Sequence, residues 1–382
     1  MADLSVSPRE LNRATLARQG LLDRENRPVP DAVEQFGALQ SQHPDWPPVA
    51  LWTRLPNFQQ ARLDEAFASR AVVRAGLLRM TQHVVTAGDF WPMWAITQPF
   101  RLSQWRQLCR MDPLDPMLLR RLAGAHEAAV VALEERPLRR EQFTEILRAH
   151  APQDLQDLPW RGLSRHFMAV EPLVQVPEVG ETYGHGRYTT ARSWLGAPPR
   201  EVDIDEARLT LLRRHLRAFG PATLDDSLAW IGRGRGGVTP WRAALARLEP
   251  EVVAIRVDGE QFLDLVDAPR PDANVEAPPR VLARWDSLLL AHTVPHRTRI
   301  LPVEWHRQVN LKNADVLPTF LIDGFVAGTW DLSRQPDTAH VELRPFLPVD
   351  KADRAALEGE AYDLVRFVAP DASTHEVSWG AR

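Results

Sequence analysis

Two amide side chains flank a single residue at Gln40-Ser41-Gln42, inside FGALQSQHPDWPPVALWTRL. An amide both donates and accepts hydrogen bonds, so such a pair can orient a water, but it takes up no proton at neutral pH. The chemistry that fits is positioning and electrostatic stabilisation rather than acid–base transfer. Alone the tripeptide has little specificity, and its place gives it weight. It ends an amphipathic stretch from Asp31 to Leu39, with Val33, Phe36 and Leu39 at helical spacing, and precedes a second carrying Leu51 and Leu55.

Other chemistry-bearing patterns are weaker. Gly232-Arg233-Gly234-Arg235-Gly236-Gly237 has the GxGxxG form, but a dinucleotide loop must follow a strand and open a helix. Here the glycines follow a helical stretch ending near Ile231, which leaves a solvated loop or a flexible basic loop touching phosphate. His292, His296 and His306 invite a metal, yet Pro295 interrupts the segment and no Cys or acidic cluster is near in sequence, so no metal or cofactor is expected. Trp46, Trp52, Trp91 and Trp94 are either core material or base-stacking surfaces. Trp46, in HPDWPP beside the amide pair, is the candidate substrate contact.

The elements around the pair follow a repeated order. Ser7-Pro8-Arg9-Glu10 reads as a capping box with Pro at the first helical position, opening a helix to about Gln19. Short helices follow, the last near Leu63 to Ala68, then a β-rich run from Ala71 to Val85. Pro113 and Pro116 mark a break. Helices are predicted over 117–134, 138–150 and 160–171, then strands over 173–176 and 187–194 around the turn VGETYGHG, the second strand carrying Arg187 and Arg192. After Ala197-Pro198-Pro199 come helices over 205–218, 223–231 and 240–248 and strands over 252–257 and 261–266. A Pro- and Asp-rich linker from Asp267 leads to β-like segments over 319–330 and 341–346 and a helix over 350–368. Helices followed by a two-stranded wing, three times over, is the order of winged-helix units, whose geometry sets a helix against nucleic acid. The expected fold class is mainly α with small β-hairpins, α+β. The expected divisions are 1–112, 113–199, 200–270 and a C-terminal α/β segment over 271–382.

FGALQSQ, LLRMTQHVV, RVLARWDSLLLAH and PTFLIDGFVAGTW, in this order, resemble the four signature blocks of the AlkZ-type winged-helix DNA glycosylases, which include the YcaQ branch. The resemblance runs from about Leu11 to Val368. It implies a C-shaped array of three winged-helix units, removal of N-alkylated purines including bulky adducts and crosslinks, and a catalytic role for Gln40 and Gln42. It also implies site roles for His83 and Thr81 in the second block and for Asp286 in the third, although Asp286 reads equally as an N-cap for 287–291. Three positions depart from the pattern. Ser41 stands where an aliphatic residue is usual, and Met80 and Gln82 replace the glycine and leucine of RGTLH. The block usually written FDEYLLG is here Trp285 to Ala291.

Composition sets the remaining bounds. The chain has 382 residues with 44% apolar, enough for several cores. One cysteine, Cys109, excludes an internal disulfide framework, the N-terminus lacks a secretory pattern, and no run approaches the ~18 apolar residues of a membrane span. A cytoplasmic protein, without membrane partners and monomeric, is expected. The net charge of −4 argues against indiscriminate polyphosphate binding, but residues 51–250 hold 27 basic against 22 acidic residues and 251–382 hold 14 against 21, so the middle of the chain is the expected DNA face unless the asymmetry is ordinary surface charge.

The expected activity is that of a monofunctional glycosylase acting on double-stranded DNA in repair or self-resistance. Gln40 and Gln42 would hold the attacking water, with Asp45 or Asp286 stabilising a cationic sugar. Arg54, Arg79, Arg187, Arg192 and Arg284 would hold phosphates. Schiff-base chemistry needs an amine. The chain's two lysines, Lys312 and Lys351, lie far along the sequence and are expected outside the unit carrying the pair. The alternative is a non-catalytic winged-helix DNA-binding protein such as a regulator.

Overall fold

Ser7 accepts from Glu10 N and the Glu10 side chain returns to Ser7 N, so the capping box forms as expected and opens the helix Pro8–Arg18. The computed structural model describes residues 4–159, 161–176, 186–198, 201–232 and 237–380. Most of VGETYGHG and of the 232–237 glycine run lie outside them. The chain divides into two compact units: Met1–Leu63, Leu212–Trp230 and Ala246–Arg382 form the first, Asp64–Leu211 and Ile231–Leu245 the second. Neither follows chain order.

In the first unit, five strands stand in the order 374–379, 338–345, 325–334, 319–322, 280–282. All pairs are antiparallel except the edge pair Thr338–Pro345 with Thr374–Trp379. That parallel pair needs a crossover, and the helix Lys351–Val368, capped by Asp350, supplies it. A smaller sheet joins Leu4–Ser5 to Val252–Val257 and Glu260–Leu265. The hairpins turn at Asp258-Gly259 and Asp323-Gly324, whose left-handed backbones are what two-residue hairpin turns require. Leu16, Leu21, Leu282, Leu288, Ile300 and Leu321 pack into one core, which ties the N-terminal helix to the C-terminal sheet.

The second unit contains a sheet in the order 82–86, 72–76, 173–176, 187–190. The two expected wings therefore share one sheet, joined at the Arg74–Gln175 register, where the two side chains hydrogen-bond. Trp105, Leu122, Leu133, Phe143 and Phe167 form its core. The longest helix, Ala87–Cys109, is capped by Thr86 and runs through Pro92 and Pro99. It has no counterpart in the sequence reading, because prolines inside a helix ordinarily break it. The strands Arg280–Leu282 and Thr374–Trp379 were also not expected. The second wing strand ends at Thr190, whose hydroxyl accepts from Ser193 N at 3.2 Å and starts the helix Ala191–Leu195, so Arg192 lies on a helix rather than a strand. No helix among the described residues is long and apolar enough to cross a membrane.

Candidate active site

Gly37 and Ala38 both adopt left-handed backbones, with φ of 74° and 70°, and turn the chain sharply after the helix Val29–Gln35. At Gly37 a side chain would collide with Phe219, 2.6 Å from where its Cβ would stand, so this glycine is fixed by packing. The turn delivers Leu39–Gln40 as a short extended pair and then the loop to Asp45, where the helix Trp46–Arg54 begins. The sequence assigned 36–39 to a helix. The two left-handed residues end it earlier.

The amide pair is divided by this geometry. Gln40 is 9% exposed and Ser41 fully buried, whereas Gln42 is exposed. Gln40 lines a small cleft of about 10 Å³, on the scale of one water, together with Gln19, Arg54, Asp286 and Ser287. The Ser287 hydroxyl spans the segment from below: it donates to Ala38 O at 2.9 Å and accepts from Gln40 N at 3.4 Å. Gln19 is equally central, its amide donating to Ala218 O at 2.8 Å while its oxygen accepts from Arg54 at 3.2 and 3.3 Å. Sequence reasoning singled out neither. Gln19 is the C-cap of the helix Pro8–Arg18, where the sequence marked only the end of a helix.

Arg54 corrects an expectation. It is 1% exposed and forked onto Asp286 at 2.7 and 3.0 Å, donates to Ala50 O at 3.0 Å and lies over Phe36. With all its donors committed inside the protein it does not hold phosphate. Asp286, 2% exposed, also accepts from Leu288 N at 3.0 Å as the N-cap of Ser287–Leu290. Asp286 thus caps the turn, lines the cleft with Gln40 and neutralises Arg54. Next to it Trp285 has a left-handed backbone, φ 52°. Arg284 lies over the Trp285 ring and pairs with Asp315, 2.9 Å through Nε, so its charge is already met within the protein.

Asp45 is exposed, 3.3 Å from the His43 ring, and makes no capping bond. Trp46 is half-buried and packs edge-on to Trp330, with ring centres 5.8 Å apart. Lys312 and Lys351 correct another expectation, for both belong to the same compact unit as Gln40 and Gln42. Lys312 begins the turn whose Ala314 carbonyl accepts from the Trp285 indole at 3.3 Å. A sequence distance of 270 residues concealed this.

The histidines considered for metal are held otherwise. His292 is buried against Phe219 O at 3.0 Å, and His296 sits between Asp226 at 2.8 Å and Glu260 at 3.1 Å. The acidic neighbours that the sequence did not place near His296 come from two distant segments.

In the second unit, His83 is buried, with Nδ1 3.0 Å from Thr81 O and Nε2 3.5 Å from Arg79. Burial and the adjacent guanidinium depress its pKa to about 3, so it is a neutral imidazole at physiological pH. Thr81 donates to Leu78 O at 3.1 Å and closes the turn. Arg79 and Met80 are both left-handed, φ 50° and 60°. Met80 therefore occupies a position with the backbone of a glycine, which accounts for the glycine in the pattern it departs from. Gly232 packs on this turn, where a Cβ would come 2.9 Å from Arg79 Cα. Arg187 is half-buried on its strand and Arg192 is exposed.

Residues 33–367 match the sequence model of the family described as DNA glycosylase AlkZ-like. The chain is 23% identical over 385 residues to the interstrand DNA cross-link repair glycosylase of Streptomyces sahachiroi, across 95% of this chain and 97% of that protein. In structure it is similar to the Streptomyces sahachiroi DNA glycosylase AlkZ, with a TM-score of 0.80 at 18% identity over 99% of this chain and 100% of that one.

Proposed function

The chain belongs to the AlkZ-like DNA glycosylase family, and on that premise we propose that it excises N-alkylated purines from double-stranded DNA by directing water at the sugar C1′. Its membership makes it an N-glycosyl hydrolase acting on DNA, and the reading as a non-catalytic regulator falls away. The lesion and the mechanism are our own inference.

One observation carries the mechanism. The carboxylate that lines the cleft with Gln40 is Asp286, and it is forked onto Arg54 and bonded to Leu288 N. Ordinary glycosidases use two carboxylates, one of which protonates the leaving group. A carboxylate held in a bidentate pair is not available for that step, and amides cannot perform it. The substrate this suits is one whose leaving base is already cationic. N7-alkylguanine and N3-alkyladenine depart as neutral bases without a general acid, so positioning and electrostatics suffice.

In this reading Gln40, steadied by Ser287, and Gln42, at the exposed end of the motif, hold the water. Asp45 supports the positive charge that develops on the sugar. The resemblance also gives a supporting role to Thr81 and to His83, a neutral imidazole whose ring is held by Thr81 O. Arg79, Arg187 and Arg192 hold phosphates, and Trp46 offers an aromatic edge to the lesion. The name of the Streptomyces relative supports bulky or crosslinking adducts as the substrate class.

The test incubates the purified chain with duplexes carrying N7-alkylguanine adducts that range from methyl to large intercalating groups. Free base and alkali-labile abasic sites are expected, with no covalent complex after borohydride reduction. A trapped species that disappears in Lys312→Ala would replace water by an amine nucleophile. Release of no base from any adduct would remove the substrate assignment.

A further inference from the structure

In the second unit a cavity of about 400 Å³ opens beside the 77–81 turn and the helices Ala87–Cys109 and Gly162–Val170. Four arginines line it, Arg79, Arg101, Arg140 and Arg165, and among the described residues no Asp or Glu does. Arg101 is anchored at one end, its Nη2 donating to Gly76 O at 2.5 Å and to Thr97 Oγ1 at 2.8 Å, with its guanidinium 6.0 Å over the Trp94 ring. Its Nη1 is buried and meets no acceptor among the described residues, and neither does Arg140 Nε. Among the described residues Arg140 reaches the Ser164 hydroxyl at 3.5 Å, and Arg165 the Gln104 amide oxygen at 3.4 Å. Burial lowers the Arg101 pKa to about 10 and depresses that of Arg140.

Guanidinium nitrogens held out of water without an acceptor cost stability, so Arg101 Nη1 and Arg140 Nε beside one cavity mark the place of an anion that arrives with a ligand. We propose that this pocket binds a phosphodiester of the DNA strand. Guanidinium forks match phosphate oxygens in pairs, which an ammonium cannot do. Trp94, Met168 and Leu173 add an apolar stretch to the wall that suits the sugar or base edge next to that phosphate. The cavity lies within the range of small-ligand sites and exceeds what a lone phosphate fills. The proposal rests on DNA being the substrate and not on which lesion is removed.

The test is the affinity of the full-length chain for undamaged duplex across a salt series, for Arg140→Gln, Arg165→Gln and the double variant, with thermal midpoints recorded beside it. Each single variant is expected to weaken binding about tenfold and to lower the salt slope by about one unit, while the midpoint stays level or rises. Full affinity and an unchanged slope in both single variants would overturn the site. A lowered midpoint with affinity retained would also overturn it, because the arginines would then be structural. Competition by a dinucleoside phosphate, lost in the double variant, supports the diester. Competition by inorganic phosphate alone would make this a free-phosphate site and refute the strand assignment. Because the readout uses undamaged DNA, failure of the N-alkylpurine reading leaves these outcomes unaffected.

Discussion

Beside Gln40 the buried charges cancel: Arg54 and Asp286 are both 1% exposed in their side chains and face each other in a fork, and amides and a hydroxyl complete the cleft. In the second unit's pocket four guanidiniums gather, and no carboxylate of the described residues lines it. The contrast separates two tasks. A neutral surround holds Gln40 in one position, which suits a reaction that needs alignment and no proton. A lining rich in guanidiniums is completed by an anion. One region is built for its own stability and the other for a ligand.

The sharpest way to break this contrast is to remove one charge from each region. Asp286→Ala strands the buried Arg54 guanidinium and should lower the stability of the first unit by about 3–5 kcal/mol in urea unfolding. Loss of less than about 1 kcal/mol would show that the pair is dispensable and that the cleft is not organised around it. Next in size is Ser287→Ala, which removes the hydroxyl between Ala38 O and Gln40 N. Excision should slow about tenfold for roughly 1 kcal/mol of stability, with partial recovery in Ser287→Thr. A wild-type rate would mean that Gln40 is positioned by its backbone turn alone.

A third test uses pH. His83 titrates at about 3 in the folded chain against an ordinary value of 6.5, so between these values the unfolded chain binds more protons. Stability from this residue is complete above about pH 6.5 and is lost as pH falls toward 3. His83→Gln should flatten the decline in urea midpoint between pH 7.5 and 4.5. A decline as steep as in the parent would place the proton uptake elsewhere, such as His126, depressed to about 4. The smallest effect expected is at Met80, left-handed at φ 60° and exposed. Met80→Gly relieves a conformation that costs an L-residue roughly 1 kcal/mol and should raise stability by a few tenths to 1 kcal/mol. Destabilisation would show that the Met80 side chain contributes more by packing than its backbone loses.

What was legible in the sequence was local. The Ser7 capping box, the strands Leu173–Val176 and Val252–Val257 and the pair Gln40-Ser41-Gln42 are set by neighbours within a few residues, and their patterns stand in the chain. The site's surround is not local. Ser287 reaches Gln40 across 247 residues and Asp286 reaches Arg54 across 232, and no periodicity records such meetings. Arg54 shows the limit most clearly: sequence reports its charge but not its depth, and depth reverses its role from binding phosphate to bracing the cleft. The helix Ala87–Cys109 was not read from the sequence, and it runs through Pro92 and Pro99, since a helix packed on a core tolerates breakers that would end it in isolation.

The central claim is that Gln40 and Gln42 act on water in the transition state rather than on DNA in the ground state. Single-turnover excision and a binding titration on the same N7-alkylguanine duplex test it in Gln42→Ala. The account predicts a rate lower by about 100-fold or more with affinity nearly unchanged. Equal losses in rate and affinity, or a rate within a few-fold of the parent, would contradict it.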